Sequence, residues 1–309
     1  MIPESPRLLT INVTESCDAA CRYCRWWRVK SEDEPIERLL DIVDEAASLG
    51  VRAIRISGGE PMLREDLARL VMQIRKKGLI SMVCTAAKCD RADLEALLDA
   101  NLDVLSVSLD TLDPEAFRQI RGYAVEPVVQ NVKALAECRR DMEFEIVLSV
   151  VLSRPSLDGI SGLLGFARAL DLVVSFTPYQ DGNPERRSPM TSLAMRAVDE
   201  PQLRKALDLV IDHARSGLRV VNADAFLHGI GDFMMTRRLP FGYICRAGDT
   251  AAIRLASGEL RLCHSLPGVI AGGLGTAWSS EAASALRARM AGLDCPGCWL
   301  SCHADARRT

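Results

Sequence analysis

Two hydrophobic periods alternate along this chain. Apolar, β-branched runs at 8–13, 51–58, 80–85, 104–109, 145–151 and 172–177 read as short strands. Between them apolar residues fall at helical spacing, most clearly at 35–49, where Ile36, Leu39, Leu40, Val43 and Ala47 share one face and Gly50 stops the helix. A second helix is predicted over 63–77, and a third after a cap at Asp90, with Leu94, Leu97 and Leu98 inward. A fourth opens at Asp113-Pro114, where a first-turn proline loses no hydrogen bond. Six strand–helix units in series, joined by right-handed crossovers, predict an α/β fold with a parallel sheet curled into a partial (β/α)6 barrel. A charged, helix-forming stretch follows, and then a segment with a hairpin at 251–256 and 260–262 that turns at Ser257-Gly258. The expected organisation is a barrel over 1–184, a helical bridge over 185–240 and a small C-terminal α+β domain over 241–309.

Composition narrows the class. With 309 residues, 48% of them hydrophobic and 26% charged, the chain can bury a large core. A formal net charge of −3 carries no polyelectrolyte signature, so nucleic acid is not an expected partner. No apolar run reaches the ~18 to 20 residues a membrane helix needs, and nothing before Cys17 reads as a secretory signal, so the expectation is a soluble, cytoplasmic protein without membrane partners. The eleven cysteines then point to metal rather than to disulfides.

Cys17, Cys21 and Cys24 form a C-x3-C-x2-C array. Structural zinc requires a further ligand pair, and none follows nearby. A four-iron cluster normally takes four thiolates, so three leave one iron open to a ligand that is not protein. Downstream, Gly58-Gly59-Glu60-Pro61 closes the second strand. A cysteine loop of this spacing after a first strand, with Gly-Gly-Glu-Pro at the end of the second, resembles the radical S-adenosylmethionine (SAM) enzymes. The resemblance implies that the open iron binds SAM. An electron, delivered by an external donor such as a flavodoxin or ferredoxin, then cleaves SAM to methionine and a 5′-deoxyadenosyl radical. It further implies that Ser57, Gly58 and Gly59 let the backbone approach this cofactor, that Glu60 accepts from its ammonium group, and that Tyr23 packs near its adenine. A plain Gly-Gly turn with a solvated glutamate is the alternative.

In parallel barrels the chemistry sits at the C-terminal ends of the strands. The stretch 105–110, taken with 117–122, resembles a run shared by molybdenum-cofactor cyclases and peptide-modifying members of the family. That likeness makes Ser108 and Asp110 candidates for the adenosyl ribose or the sulfonium side; helix capping is their alternative. Thr85-Ala86-Ala87 departs from the Thr-Asn-Gly that many members carry after strand three.

Cys245 and Cys263 flank the hairpin, and Cys295, Cys298 and Cys302 follow. This order resembles the twitch domain, a shortened SPASM domain. It implies an auxiliary cluster and therefore two [4Fe-4S] clusters, one of them SAM-binding. A zinc ribbon on Cys245, Cys263, Cys295 and Cys298 is the alternative. Five cysteines for four positions leave one thiol, with Cys298 and Cys302 the candidates for a catalytic role. A free thiol beside a carbon radical donates hydrogen and ends an epimerisation, whereas a fully ligated cluster accepts an electron and ends a dehydrogenation. An inert surface thiol is equally admissible. Cys84, Cys89 and Cys138 read as packing residues.

By resemblance to the carbohydrate and aminoglycoside enzymes of antibiotic biosynthesis, the expected function is a radical epimerase, or a dehydrogenase, acting at a carbinol carbon of a polar small molecule. Asp181, Asn183, Glu185, Asn222, Asp224, His228 and Asp232 offer acceptors for such a substrate. Modification of a short peptide and a non-catalytic zinc or iron–sulfur scaffold are the alternatives. The final residues lack the Gly-Gly tail of the molybdenum-cofactor cyclase, which argues against that relative.

Overall fold

Six strands follow one another through a single sheet: β1 (Leu8–Thr14), β2 (Ala53–Gly58), β3 (Ile80–Thr85), β4 (Val104–Ser108), β5 (Glu145–Leu152) and β6 (Val173–Pro178). The computed structural model describes residues 5–28, 32–139, 142–180, 192–239, 243–266, 268, 272–295 and 297–300. Each of the six strands pairs in parallel with the next. Helices α1 (Ile36–Ser48), α2 (Leu67–Lys76), α3 (Arg91–Asp99), α4 (Pro114–Arg121), α5 (Glu126–Cys138) and α6 (Ile160–Ala169) fill the crossovers. The α/β barrel-like architecture expected from the hydrophobic pattern is the one observed.

Strand alternation explains the layering. Ile54, Ile56, Leu105, Val107, Ile146, Leu148, Val150, Val174 and Phe176 are buried in the core. The intervening Ser57, Cys84, Ser106, Ser108, Ser149 and Ser175 are half-buried, on the opposite face of the pleat. Ser108, Ser149 and Ser175 stand in register across β4, β5 and β6, so that face is lined by hydroxyls.

Two local expectations need correction. The residues after Glu60 form a short 3-10 turn at Pro61–Leu63, and α2 begins only at Leu67. Glu60 accepts the Met62 N–H at 3.1 Å, and the Arg64 guanidinium holds Asp66 through two bonds of 2.8 Å, so side chains compete with helical pairing there. Asp113 caps α4 by accepting from the Ala116 N–H at 2.7 Å, whereas the Asp90 side chain accepts no capping bond at α3.

Beyond the barrel lie α7 (Glu200–Arg215), α8 (Asp224–Thr236), β7 (Ala251–Arg254), β8 (Leu260–Arg261), α9 (Leu274–Ser279) and α10 (Glu281–Ala291). The expected hairpin is present but shorter. Its strand β7 pairs in parallel with β1, from Leu8↔Ala251 to Ile11↔Arg254, so the C-terminal segment continues the barrel sheet past its first strand. That pairing covers an edge β1 would otherwise expose. Among the described residues no helix is long and apolar enough to cross a membrane.

Candidate active site

The cysteine loop leaves β1 at Thr14 and rests on two supports. The first is the end of β2, where the Gly59 N–H donates to Thr14 O at 2.9 Å and the Glu60 N–H to Ser16 O at 2.8 Å. A Cβ on Gly58 would collide with Thr14 O, and one on Gly59 with Ser16 O. The Gly-Gly pair therefore lets two backbone segments meet. The second support is the end of α4. Ile120 O accepts the Arg22 N–H at 3.1 Å. Gly122 takes the left-handed conformation (φ 81°), and a Cβ there would lie 2.5 Å from Ala20 O. Between them, Arg121 places Nη1 4.0 Å from Cys21 Sγ.

Arg121 is itself fixed by Asp110. Its Nε and Nη2 donate to the two carboxylate oxygens at 2.6 and 2.8 Å, and the Val151 N–H adds a third bond to Asp110 at 2.7 Å. Asp110 is fully buried. It is thus an ion-pair partner beneath the cysteine loop. Sequence reasoning missed Arg121; a basic residue directly before a helix-ending glycine in 117–122 was the available signal.

The three thiols are close enough to feel one another. Burial pushes the Cys17 thiol up to about 12, with proximity to Cys21, Glu60 and Cys24 adding to the rise. Burial also raises Cys21, opposed by Arg121. Thiols in this state lose their protons to a bound metal centre rather than to solvent, which fits a cluster seat. Glu60 is buried and accepts from Thr85 Oγ1 at 2.7 Å, the Ala86 N–H at 2.7 Å and the Met62 N–H at 3.1 Å. Burial raises its carboxyl against the pull of those donors. In the loop that departs from the family pattern, Ala87 adopts φ 51°, and Asn131 on α5 donates to Ala87 O at 2.9 Å and Cys89 O at 3.0 Å.

Cys245, Cys263, Cys295 and Cys298 form a second set. Burial raises Cys298 to about 12, with Cys263, Cys245 and Cys295 contributing; Cys245 is raised by burial and by Cys263 and Cys295. The Ala247 N–H donates to Cys245 Sγ at 3.5 Å and the Ser265 N–H to Cys263 Sγ at 3.2 Å, the kind of donor that stabilises bound thiolates. Trp299 anchors the last of these cysteines. The Gln180 amide accepts the Trp299 N–H at 3.0 Å and donates to Trp299 O at 3.3 Å, while the indole N–H donates to Phe226 O at 2.9 Å. The indole also stacks on Phe226 at 5.6 Å.

One cysteine of each set, Cys24 and Cys298, lines a single cavity of about 220 Å³. Tyr23, Cys24, Ser57 and Gly58 from the barrel and Arg261, His264, Ser265 and Cys298 from the C-terminal segment line it. Asn12, Trp26 and Gln180 and the apolar Ile253, Leu255 and Leu300 complete it, and no carboxylate is among the lining residues described. Gly59, Glu60, Ser108 and Asp110 do not line it. Cys302, Asp181, Asn183 and Glu185 lie outside the described residues. The other expected substrate acceptors point elsewhere. Asn222 is buried against the Phe176 backbone at 2.6 and 3.1 Å, Asp224 pairs with Arg215 at 3.5 Å, Asp232 pairs with Arg204 at 2.7 Å, and His228 is exposed.

Comparison with known proteins agrees with the barrel and corrects the substrate. Residues 11–151 match the model of the Radical SAM superfamily. GTP 3′,8-cyclase of Acidothermus cellulolyticus is 30% identical over 284 residues, covering 83% of this chain and 74% of that protein. GTP 3′,8-cyclase 1 of Mycobacterium tuberculosis is 31% identical over 186 residues, covering 56% of this chain and 51% of that protein. The match thus spans about half the length of the latter relative. In fold the chain is similar to Streptococcus suis SuiB bound to precursor peptide SuiA, with a TM-score of 0.74, 20% identity, and coverage of 93% of this chain and 67% of that one. The relatives are cyclases of a nucleotide, so the expected sugar or aminoglycoside epimerase or dehydrogenase of antibiotic biosynthesis is overturned. The chain belongs to the radical SAM superfamily, with S-adenosylmethionine and two [4Fe-4S] clusters as its cofactors.

Proposed function

We propose that Cys17, Cys21 and Cys24 hold the SAM-binding cluster, that Cys245, Cys263, Cys295 and Cys298 hold the auxiliary one, and that the substrate between them is an anionic purine nucleotide. The observation that carries the reading is one cavity lined by Cys24 of the first set and Cys298 of the second. Among the described residues no three His, Cys, Asp or Glu side chains converge on one ion-sized point, so the cluster assignments rest on the family and on the mutual proximity of the thiols. Bound SAM, given one electron by a low-potential donor, would supply the site with hydrogen-atom abstraction from a substrate carbon, with methionine and 5′-deoxyadenosine as its products. The chain's own residues position the partners. Tyr23 and Trp26 offer ring faces to bases, and Ser57 and Asn12 offer hydrogen bonds. Arg261, already paired with Glu259 at 2.5 Å, and His264 are the basic residues of the lining, which holds no carboxylate among its described residues and so suits a phosphate better than a polycation. Cys298 in this arrangement is a ligand, not a hydrogen-atom donor.

The relatives' name specifies a bond between C3′ and C8 of GTP, so a hydrogen must leave C3′. The reconstituted chain should therefore move deuterium from [3′-²H]GTP into 5′-deoxyadenosine and consume the nucleotide. Release of unlabelled 5′-deoxyadenosine with GTP unchanged rejects the nucleotide while leaving the radical chemistry standing.

A further inference from the structure

We infer that Arg121 sets the reduction potential of the barrel cluster by donating to the Cys21 thiolate; the inference rests on Cys21 being a ligand of that cluster. The guanidinium is divided between two tasks. Its Nε–Nη2 edge is spent on Asp110, at 2.6 and 2.8 Å, which leaves Nη1 directed at Cys21 Sγ, 4.0 Å away. The carboxylate that orients it is anchored in turn by the Val151 N–H of β5 at 2.7 Å. A two-point pair of this kind fixes the plane of the guanidinium in advance. The Tyr23 ring lies 5.5 Å from the guanidinium carbon, and the Arg121 side chain is only 8% exposed. Little water screens the contact, so a donor aimed at sulfur acts strongly.

Stability alone is a weak reason for such a pair. A buried ion pair commonly contributes no more than well-packed apolar residues would. What this one supplies is a dipole with its positive end at Cys21, held by the same helix end that seats Arg22 and Ala20. Hydrogen bonds to sulfur and local charge are the levers that set iron–sulfur potentials. The one-electron-reduced cluster carries the extra negative charge, so a positive donor at its thiolate favours reduction and raises the midpoint. A purely structural tie between α4 and the strands makes a different forecast: lost stability or lost iron, with an unchanged midpoint.

Removing Arg121 alone would strand a buried Asp110, so the test uses two variants that keep the site balanced. The double variant Asp110→Asn, Arg121→Gln neutralises both partners, and Arg121→Lys keeps a charge for Asp110 but lacks the fork that also reaches Cys21. Each holoenzyme is reconstituted anaerobically and titrated by electron paramagnetic resonance, following the signal that changes on adding SAM. At the wild-type midpoint the reduced-to-oxidised ratio in the double variant is expected to fall about tenfold, which is ~59 mV for a one-electron couple. Arg121→Lys should shift the same way by less. A lowered midpoint in Arg121→Lys supports the inference even if the double variant assembles no cluster. A wild-type midpoint in any loaded variant overturns it. Failure of both folded variants to load also overturns it, because Arg121 would then serve assembly. A wild-type chain without a SAM-responsive signal instead sinks the assignment of Cys17, Cys21 and Cys24.

Discussion

Adding a single methyl group at Gly229 should unseat the auxiliary site. Alanine in place of glycine inside a helix ordinarily stabilises by about 1 kcal/mol. At Gly229 on α8 the new Cβ would lie 2.6 Å from Trp299 Cε2 and 2.9 Å from Cη2, and closer still to Cζ2. The indole cannot swing aside freely. Its N–H is bonded to Phe226 O at 2.9 Å, its face is stacked on Phe226, and its backbone is clasped by Gln180. Overpacking of this kind costs about 1–3 kcal/mol, so the propensity gain is cancelled or exceeded by up to about 2 kcal/mol. Gly165→Ala on α6 is the matched control, since a Cβ there meets nothing within 4 Å and should stabilise by about 1 kcal/mol. In a chain of this size each kcal/mol moves Tm by about 2 °C, so thermal unfolding should shift the two variants in opposite directions or leave Gly229→Ala unchanged. Displacing the indole also displaces Cys298 beside it, and iron should fall from about eight to about four per chain after reconstitution. A Gly229→Ala chain as stabilised as the control, with full iron, would refute the anchoring role of Trp299.

Other outcomes follow from the same geometry. Burial raises the Glu60 carboxyl above its ordinary 4.5, so between that value and the folded one the native chain holds a proton that the unfolded chain has released. Stability from this group is complete below the ordinary value and is lost as pH rises through the raised one; Glu60→Gln should abolish that slope in Tm against pH, and an identical slope in both proteins counts against the buried, protonatable carboxyl. Asp110→Ala leaves Arg121 buried without its partner and should destabilise by about 3–5 kcal/mol in chemical denaturation, whereas a change under about 1 kcal/mol would show the pair to be solvated. Cys298→Ala should open or weaken the auxiliary cluster and abolish substrate turnover while SAM cleavage continues, and full iron together with wild-type turnover in this variant would remove Cys298 from the ligand set.

The sequence made some parts of this molecule readable because the physics is local. Alternating burial at Ile54, Ile56, Leu105 and Val107, and helix-spaced Leu39 and Val43, exposed the strand–helix series directly. The Cys17, Cys21 and Cys24 spacing and the Gly58-Gly59-Glu60 run marked the site, although the glycines owe their place to Thr14 and Ser16. Long-range contacts were hidden. Nothing in the spacing tells that β7 would add to β1, or that Gln180 would clasp Trp299 across more than a hundred residues. The pairing of Asp110 with Arg121 was hidden too, because it is set by the packing of α4. Asp224 and Asp232 had the right chemistry for a polar substrate in the wrong place, each neutralised by an arginine away from the cavity.

The central claim is that the barrel cysteines run reductive SAM cleavage while the C-terminal set holds a separate cluster that reaches the same cavity through Cys298. Quantifying 5′-deoxyadenosine from anaerobically reconstituted protein with dithionite and SAM, alongside iron content, tests it most directly. Wild type should carry about eight irons and release 5′-deoxyadenosine, whereas Cys21→Ala should retain about four irons and release none. A fully loaded wild-type chain that leaves SAM intact, or a Cys21→Ala chain that still cleaves it, would contradict the account.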